Sequence, residues 1–395
     1  MKKKRKSLRL SNKYSNKAIF ICAFALAIIS LIYVVSAEMG ETSSNTSYLL
    51  QSFIKSLIFL VLAVVWYLAC SRLKFYRFSL LVYYIAYFVI LVLLLACRLF
   101  GSVGGAYAWI RVPFLSIQPS EFAKHMIILL GAKMFSKDYE NENSKMMYIY
   151  AALSFLYFII VAFYQHDLGS GVIILILCFC ICLLNPYKQN VKAVSLLLIS
   201  LFGIIFLIIF MLTPLATKIF ESHSDNYMLG RFLASANPFE YAYDVGYHVV
   251  MSLVTFGSGG LTGVGLGNSI HKHMNFPNPS TDFILPVIVE EGGVLLYVVI
   301  FILYLGILIP IIRYSLTTKN IYSKICLFGF AAYFMSHFIL NVGGVTGLIP
   351  LTGVPLLLLS GGGSSLMACF GIIGTCQGEI IRERETRHAN SSGQI

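Results

Sequence analysis

Six ionisable side chains lie within or beside long apolar runs of the sequence, where a charge is costly and usually serves a function. They are Glu121, Lys124, Asp167, Asp282, Glu290 and Glu291. A carboxylate at the boundary between lipid and water suits a general base, and an ammonium group there can bind an anion. We therefore expect these groups to build a polar cavity that is open at one membrane face and handles a lipid-linked substrate.

Asp282 is the first candidate for the general base. It follows Pro277-Asn278-Pro279-Ser280-Thr281, in which two prolines stiffen the approach to the next predicted helix. An aspartate at a helix start is also a common N-cap, so a purely structural role stays open. Glu290 and Glu291 follow eight and nine residues later, over two turns deeper on the same predicted helix.

Glu121 and Lys124 are three residues apart, close enough to pair on one helix. Two interpretations carry equal weight. The pair enters the membrane edge as a neutral unit, or Lys124 binds an anionic substrate while Glu121 holds it in place.

Asp167 belongs to a second polar segment, Gln165-His166-Asp167-Leu168-Gly169-Ser170, between two apolar runs. A helix N-cap explains the aspartate, because Asp is among the best N-cap residues. It does not explain the polar neighbours Gln165 and His166, so the segment stays among the candidates.

Two glycine-rich segments contain no complete nucleotide-binding motif. Gly257-Ser258-Gly259-Gly260-Leu261-Thr262-Gly263-Val264-Gly265-Leu266-Gly267 resembles a phosphate cradle but lacks the following Lys-Ser/Thr. Mobility or close approach to the membrane is the better interpretation. The second, Ser360-Gly361-Gly362-Gly363-Ser364-Ser365, opens the last predicted helix, where small residues permit tight packing.

The composition shows what surrounds these residues. The chain has 395 residues, of which 58% are hydrophobic and only 12% charged. Soluble domains carry about 25% charged residues. This excludes a soluble globular enzyme, a disordered chain and a disulfide scaffold, and it predicts a polytopic membrane protein.

Ten runs can cross a bilayer, which takes about 20 apolar residues each. The second run contains Lys55 near its outer end, where we expect the side chain to snorkel to the surface. The fourth run spans only if Glu121 and Lys124 are included. The predicted helices cover residues 18–37, 51–70, 78–97, 118–135, 146–166, 168–187, 193–217, 292–312, 325–350 and 354–378.

Basic residues set the predicted orientation. The chain has 29 Lys and Arg against 17 Asp and Glu, and most of the basic residues lie in six clusters between alternate apolar runs. Basic loops are retained on the cytoplasmic side, so both termini are expected inside the cell and nucleic acid is not an expected partner. The prediction is an all-α protein with a cytoplasmic tail at 1–17, a ten-helix membrane domain at 18–378 and a cytoplasmic tail at 379–395. The large loop at about 213–283, between helices seven and eight, and Glu38 are expected outside.

Six motifs in order resemble the SEDS family (shape, elongation, division and sporulation) of polytopic membrane enzymes. The stretch Gly263-Val264-Gly265-Leu266-Gly267-Asn268-Ser269 is more similar to the division (FtsW) and sporulation branch than to the elongation (RodA) branch. The other motifs are Gly105-Ala106-Tyr107-Ala108-Trp109-Ile110, Gln118-Pro119-Ser120-Glu121-Phe122-Ala123-Lys124, Gln165-His166-Asp167-Leu168-Gly169-Ser170, Thr281-Asp282-Phe283-Ile284 with Glu290-Glu291, and Thr346-Gly347 through Ser360-Gly361-Gly362-Gly363-Ser364-Ser365.

The resemblance implies an inverting peptidoglycan glycosyltransferase that polymerises lipid II at the outer face of a bacterial plasma membrane. Septal cell-wall synthesis at the division site is the expected role. Asp282 falls on the family's essential aspartate. A class B penicillin-binding protein, which cross-links the product, is the implied partner, and membrane lipid surrounds the chain. The rival is a lipid II flippase or another polytopic transporter, and a scaffold without catalysis is a weaker third hypothesis.

The same resemblance assigns roles to the remaining candidates. Positive charge for the departing diphosphate is expected from Lys124, Arg111, Arg231, Lys272 or a divalent cation such as magnesium or manganese. Supporting roles beside Asp282 are expected for Thr281, Glu290 and Glu291. Further substrate or cavity residues are Glu121, Asp167, Gln165, Trp109, Ser364 and Ser365.

Four positions depart from the family pattern. The family usually has Arg at the position of Ala108, Pro at that of His166, His at that of Ser280 and Tyr at that of Gly362. The missing arginine leaves open which cation binds the diphosphate.

Overall fold

The structure, a computed structural model, describes residues 16–41, 46–112, 115–141, 145–184, 238–243, 246–274, 276 and 278–391. The predicted helix at 193–217 and the candidate Arg231 lie outside these residues. Within them the chain is mostly helical. The helices are α1 (Lys17–Glu41), α2 (Thr46–Arg72), α3 (Leu80–Ala96), α4 (Pro119–Asn141), α5 (Lys145–Ile159), α6 (Leu168–Leu183), α7 (Tyr247–Ser258), α8 (Ile284–Thr317), α9 (Ile321–Val345) and α10 (Gly363–Ser391).

Seven of the described helices are long and apolar enough to cross a membrane. They are α1, α2, α3, α5 with the π-helical turn that follows it, α8, α9 and α10. The helix α6 is shorter but apolar, and α4, with Pro119 as its first residue and Glu121 in its first turn, carries several charges. Pro at the first helical position and an acid in the first turn both favour a helix start there. The described chain is thus a multi-pass membrane protein.

One small hairpin departs from the predicted all-α fold. The strands β1 (Ile110–Val112) and β2 (Leu115–Ile117) pair in antiparallel register, with Arg111 opposite Ser116. The β-branched residues Ile110, Val112 and Ile117 favour an extended backbone. This hairpin lies between α3 and α4 and carries part of the site described below.

The ends of the last two helices differ from the predicted spans. The prediction at 325–350 and 354–378 is shifted from the observed α9 (Ile321–Val345) and α10 (Gly363–Ser391). An irregular connection at 346–362 contains Pro350 and Pro355, which lack the backbone N–H that a helix needs. Residues 379–391, predicted as part of a tail, extend α10. Apolar composition alone could not separate the connection from the helices.

Glycines on α10 allow it to pack closely against α2. A Cβ atom on Gly374 would lie 2.5 Å from the Tyr67 carbonyl oxygen, and one on Gly371 would lie 2.4 Å from the indole nitrogen of Trp66. Apolar side chains gain little from leaving lipid, so close backbone approach is the main source of helix association in membranes. The two helices therefore form one rigid wall of the fold.

The helix α8 is broken at Gly293, and the glycine-rich segment fills the break. Gly293 has φ 71° and ψ 179°, a conformation that is essentially restricted to glycine. Groups on both sides of the break pair with residues 260–265 in place of their helical partners. The four bonds run from Val264 N to Glu290 O (2.9 Å), Gly265 N to Glu291 O (3.0 Å), Val294 N to Gly260 O (3.0 Å) and Leu295 N to Leu261 O (3.1 Å).

The glycine-rich segment lies against the backbone of α8, a contact that neither interpretation of its sequence predicted. A Cβ atom on Gly263 would lie 2.2 Å from the Glu291 carbonyl oxygen, and one on Gly259 would lie 2.1 Å from the Val289 carbonyl oxygen. Unpaired backbone groups inside a membrane protein cost several kcal/mol each. The segment thus supplies hydrogen-bond partners to the backbone groups at the break in α8. It also fixes the position of the adjacent Glu290 and Glu291.

We expect Gly293→Ala to destabilise the full chain by about 1–3 kcal/mol or more, because the backbone is strained for alanine and its Cβ would lie 2.2 Å from the Leu261 carbonyl oxygen. Thermal unfolding in detergent measures the effect. The matched control is Gly257→Ala on α7, where a Cβ atom meets nothing within 4 Å. Equal melting temperatures for the two variants would contradict the role given to this break.

Candidate functional site

A cavity of ≈ 500 Å³ lies between α1, α2, the hairpin, the turn that contains Thr281 and the start of α10. Its walls come from five separated parts of the sequence. The polar residues in its lining are Ser30, Glu38, Tyr48, Gln51, Ser52, Lys55, Ser56, Trp109, Arg111, Ser116, Thr281 and Ser360.

The polar wall on α2 was not recognised from the sequence. Gln51, Ser52, Lys55 and Ser56 all line the cavity, and the spacing i, i+1, i+4, i+5 places them on one helix face. Lys55 was expected only to snorkel, and Glu38 was expected outside the site, yet both contribute to the lining. The signal that could have found them is this cluster of polar residues at helical spacing inside an otherwise apolar run.

The hairpin forms a second wall. Trp109, Arg111 and Ser116 line the cavity, and Arg111 and Ser116 face each other across the two strands. Two of the predicted binding residues, Trp109 and Arg111, thus lie in the same cavity. Ala108, which replaces the expected arginine, is buried and contributes no charge.

The turn that carries Asp282 is fixed by hydrogen bonds from two other elements. Asn341 on α9 donates to the Asp282 carbonyl oxygen at 2.9 Å, and Ser360 Oγ donates to the Thr281 carbonyl oxygen at 2.9 Å. Gly361 N donates to the Ser280 carbonyl oxygen at 2.7 Å. Thr281 lines the cavity, and Asp282, which is partly exposed, is the next residue in the chain.

The start of α10 forms the remaining wall. Residues 360–363 line the cavity, and the helix begins at Gly363. Ser365 Oγ donates to the Gly362 carbonyl oxygen at 2.8 Å. Buried Ser364 Oγ has no hydrogen-bond partner among the described residues. Both predicted serines are therefore within one turn of the cavity.

Glu121 and Lys124 form a buried ion pair with a separation of 2.7 Å and no exposure of either side chain. Tyr333 donates to the second carboxylate oxygen of Glu121 at 2.8 Å, and His337 Nε2 lies 3.3 Å from the Lys124 ammonium nitrogen. All these partners are on α4 and α9. This geometry favours the neutral-unit interpretation over direct binding of substrate by Lys124.

A second buried ion pair joins Lys272 and Glu291 at 2.7 Å. Ser36 on α1 donates to both oxygens of Glu291 at 2.7 Å, and Lys272 also donates to the Gly267 carbonyl oxygen at 2.8 Å. The neighbouring Glu290 accepts from Ser269 Oγ and lies 2.7 Å from His271 Nδ1. These groups tie the glycine-rich segment to α1 and to the break in α8.

Asp167 acts as the N-cap of α6. One carboxylate oxygen accepts from Ser170 N and the other from Gln118 Nε2, both at 3.0 Å. The buried amide of Gln165 donates to the Leu94 carbonyl oxygen at 2.7 Å. His166 has a φ of 61°, which proline cannot adopt, so this turn accounts for the departure from the family's proline.

The expected gathering of six charges in one cavity was wrong. None of Glu121, Lys124, Asp167, Asp282, Glu290 and Glu291 lines the cavity described here. The physical reason is that a buried charge without a partner is very costly, so Glu121, Lys124 and Glu291 lie in buried ion pairs. Asp282 alone adjoins the cavity, through Thr281.

A divalent cation, magnesium or manganese, stays a prediction. Across the described residues, no group of three or more His, Cys, Asp or Glu side chains is placed to hold a metal ion. The residues present therefore do not form a ready protein ligand set, and no step of the reaction below is assigned to a metal.

We expect Lys124→Met alone to destabilise the protein by about 3–5 kcal/mol, because it leaves the Glu121 carboxylate buried without its cation. The double variant Glu121→Gln with Lys124→Met should lose less stability than the sum of the single variants. Unfolding in detergent measures the coupling. Glu385→Gln, an exposed position on α10, is the control. A stable Lys124→Met protein that has lost only substrate binding would contradict the structural role.

Known proteins match this chain along most of its length. The family model for FtsW, RodA and SpoVE, described as cell cycle proteins, matches residues 16–380. A Coxiella burnetii protein named probable peptidoglycan glycosyltransferase FtsW is 31% identical over 364 residues, which cover 90% of this chain and 93% of the relative. Stage V sporulation protein E of Bacillus subtilis is 32% identical over 292 residues, which cover 72% of this chain and 75% of the relative.

Solved structures share the fold. One solved structure is described as "Structural coordination of polymerization and crosslinking by a peptidoglycan synthase complex". It has a TM-score of 0.69 at 21% identity, and the match covers 94% of this chain and 98% of the chain in that structure. The rod shape determining protein RodA of Thermus thermophilus has a TM-score of 0.63 at 22% identity and covers 94% of this chain and 97% of its own. The resemblance drawn from the six motifs is confirmed: the chain belongs to the FtsW, RodA and SpoVE family of cell cycle proteins.

Proposed function

We propose that this chain is a peptidoglycan glycosyltransferase that polymerises lipid II into glycan strands during septal cell-wall synthesis. The observation that carries the proposal is the turn at 278–283. Hydrogen bonds from α9 and from the segment before α10 hold Asp282 at the edge of a cavity that contains Lys55 and Arg111. The relatives named as probable FtsW glycosyltransferases support the same activity.

The proposed reaction transfers a sugar from a polyprenyl diphosphate to an acceptor hydroxyl. The hydroxyl oxygen attacks the anomeric carbon, and the bond from that carbon to the diphosphate oxygen breaks. The Asp282 carboxylate takes the hydroxyl proton, while the diphosphate leaves with the electron pair. General base catalysis of this kind contributes about 10²–10⁴-fold, and the direct displacement inverts the anomeric centre.

The fixed backbone of the 278–283 turn is what suits Asp282 to this role. A base must be held within hydrogen-bond reach of the proton that it removes. Three hydrogen bonds to consecutive carbonyl groups at Ser280, Thr281 and Asp282 restrict the movement of the turn without involving the carboxylate in them. The supporting role predicted for Thr281 is compatible with this geometry, and Glu290 and Glu291 are proposed to act only through the glycine-rich segment.

The proposed membrane arrangement has ten spanning helices with both termini in the cytoplasm. The seven apolar spans, α4 and α6 account for nine, and residues 193–217 would be the tenth. The end of α1 and the start of α2 meet the Asp282 turn at the cavity, so all of them would lie at the outer face. We place the protein at the division septum with a class B penicillin-binding protein as its transpeptidase partner.

A lipid II flippase is the second candidate function. The broken helix α8 favours it, since transporters use interrupted helices to build binding sites. In this chain the break is filled by residues 260–265 and closed by the buried ion pair of Lys272 and Glu291, which gives it a structural purpose. The polymerase is therefore the better supported hypothesis.

We expect purified protein with its transpeptidase partner to convert labelled lipid II into long glycan chains. Asp282→Asn should lower the rate by about 10²–10⁴-fold, because the amide cannot take the hydroxyl proton. Gel analysis of the products measures the rate, and Glu385→Gln is the control. Full polymerisation by a folded Asp282→Asn variant would remove the base assignment. Transport of lipid II without polymerisation would favour the flippase.

The proposed topology predicts that Met274→Cys reacts with a membrane-impermeant maleimide added to intact cells, because this exposed residue precedes the Asp282 turn. Lys319→Cys, in the exposed turn between α8 and α9, should react only after permeabilisation. The unsubstituted protein corrects for its own cysteines. Labelling of position 319 from outside with protection of position 274 would invert the arrangement and contradict the proposed site.

A further inference from the structure

The cations near the site fall into two groups with different availability. Lys124 and Lys272 are buried in ion pairs with Glu121 and Glu291, and both ammonium groups make further contacts within the protein. Lys55 on α2 and Arg111 on the hairpin are exposed, and both line the cavity. Within the described part of the chain, these two are the cations of the cavity lining.

The surroundings of Lys55 are unusual for a lysine that only reaches for the membrane surface. Gln51, Ser52 and Ser56 share its helix face and its cavity. A snorkelling lysine needs no hydrogen-bonding neighbours, since its head group is solvated by water and lipid head groups. A face with a hydroxyl on each side of an ammonium group suits an anion with several oxygen acceptors.

The start of α10 adds a third source of positive potential. Residues 360–363 line the cavity, and α10 is 29 residues long, so its first N–H groups present a partial positive charge there. The nearby Ser364 hydroxyl is buried and lacks a hydrogen-bond partner among the described residues.

We propose that Lys55 and Arg111, together with the first turn of α10, bind the diphosphate of a polyprenyl diphosphate in this cavity. The inference rests on the proposed function and deepens it, because it names the groups that hold the leaving diphosphate. Lys55 and Arg111 stabilise the negative charge that develops on the departing oxygen, and Lys124 and Lys272 serve structure. The carboxylate of Glu38 lies in the same lining and limits the net positive charge.

The test measures binding separately from polymerisation. The full chain in lipid nanodiscs is titrated with radiolabelled undecaprenyl diphosphate, and inorganic diphosphate and undecaprenol serve as competitors. Lys55→Met and Arg111→Met should each weaken binding about tenfold, since each removes one charge-assisted contact, and the double variant about a hundredfold. Lys55→Arg should retain most of the affinity because it retains the charge.

Matched controls lie at the far end of the same helix and two residues beyond it. Arg72→Met and Lys74→Met remove exposed cations outside the cavity lining and should leave binding unchanged. Size-exclusion chromatography shows which variants are folded, and Lys55→Gln replaces Lys55→Met if the latter is not. Displacement by inorganic diphosphate identifies the diphosphate as the recognised group. Displacement by undecaprenol alone would assign recognition to the lipid tail and overturn the proposal.

The failure of this inference and that of the proposed function are distinguishable. Wild-type affinity in the folded Lys55 and Arg111 double variant would overturn the inference even if the protein polymerises lipid II. Charge-dependent binding in a protein that does not polymerise lipid II would overturn the proposed function and leave the diphosphate site standing.

Discussion

The cost of leaving a charge unpaired away from water determines which residues of this protein can reach a substrate. Both lysines that are buried among the described residues, Lys124 and Lys272, lie 2.7 Å from a carboxylate oxygen. Removing one partner of such a pair leaves an uncompensated charge. These lysines therefore stabilise the packing of α4, α9, α1 and α8. The proposed diphosphate site must therefore contain other cations. Those in the cavity lining are Lys55 and Arg111, and both side chains are exposed.

The same constraint applies to the backbone. The break at Gly293 frees carbonyl groups at Glu290 and Glu291, and residues 264 and 265 pair with them. Close approach requires glycine at several positions of the segment, since a side chain on Gly263 would overlap the Glu291 backbone. Because Lys272 follows this segment directly, its position relative to Glu291 depends on the fit of the glycines. The backbone pairing and the buried ion pair therefore form one unit.

The sequence predicted those features of the fold and the site that depend on short spacing along the chain or on composition. The Glu121 and Lys124 pair follows from their separation of three residues on a helix, and the multi-pass class follows from the apolar runs. The N-cap role of Asp167 follows from its place before an apolar run. The pair of Lys272 with Glu291 could not be predicted, because no periodicity relates a turn to the end of a helical segment 19 residues away.

The cavity was also beyond prediction, since its lining joins α1, α2, the hairpin, the Asp282 turn and α10. The sequence places Lys55 in an apolar run, and only the fold shows that Arg111 lines the same cavity. The positions of helix ends caused a second error. The connection at 346–362 is as apolar as the helices on either side, and its irregular backbone is set by hydrogen bonds to residues such as Ser280 and Thr281, far away in the sequence.

The arrangement of charges suits an inverting transfer. In a direct displacement, the attacking hydroxyl and the leaving group lie on opposite sides of the sugar carbon, so the base and the cations must be separated. Asp282 lies at the edge of the cavity, next to Thr281, while Lys55 and Arg111 are in its lining. A base in contact with both cations would be a weaker proton acceptor, because nearby positive charge stabilises its ionised form. The proposed reaction therefore requires that the Asp282 carboxylate face the acceptor hydroxyl while Lys55 and Arg111 face the diphosphate.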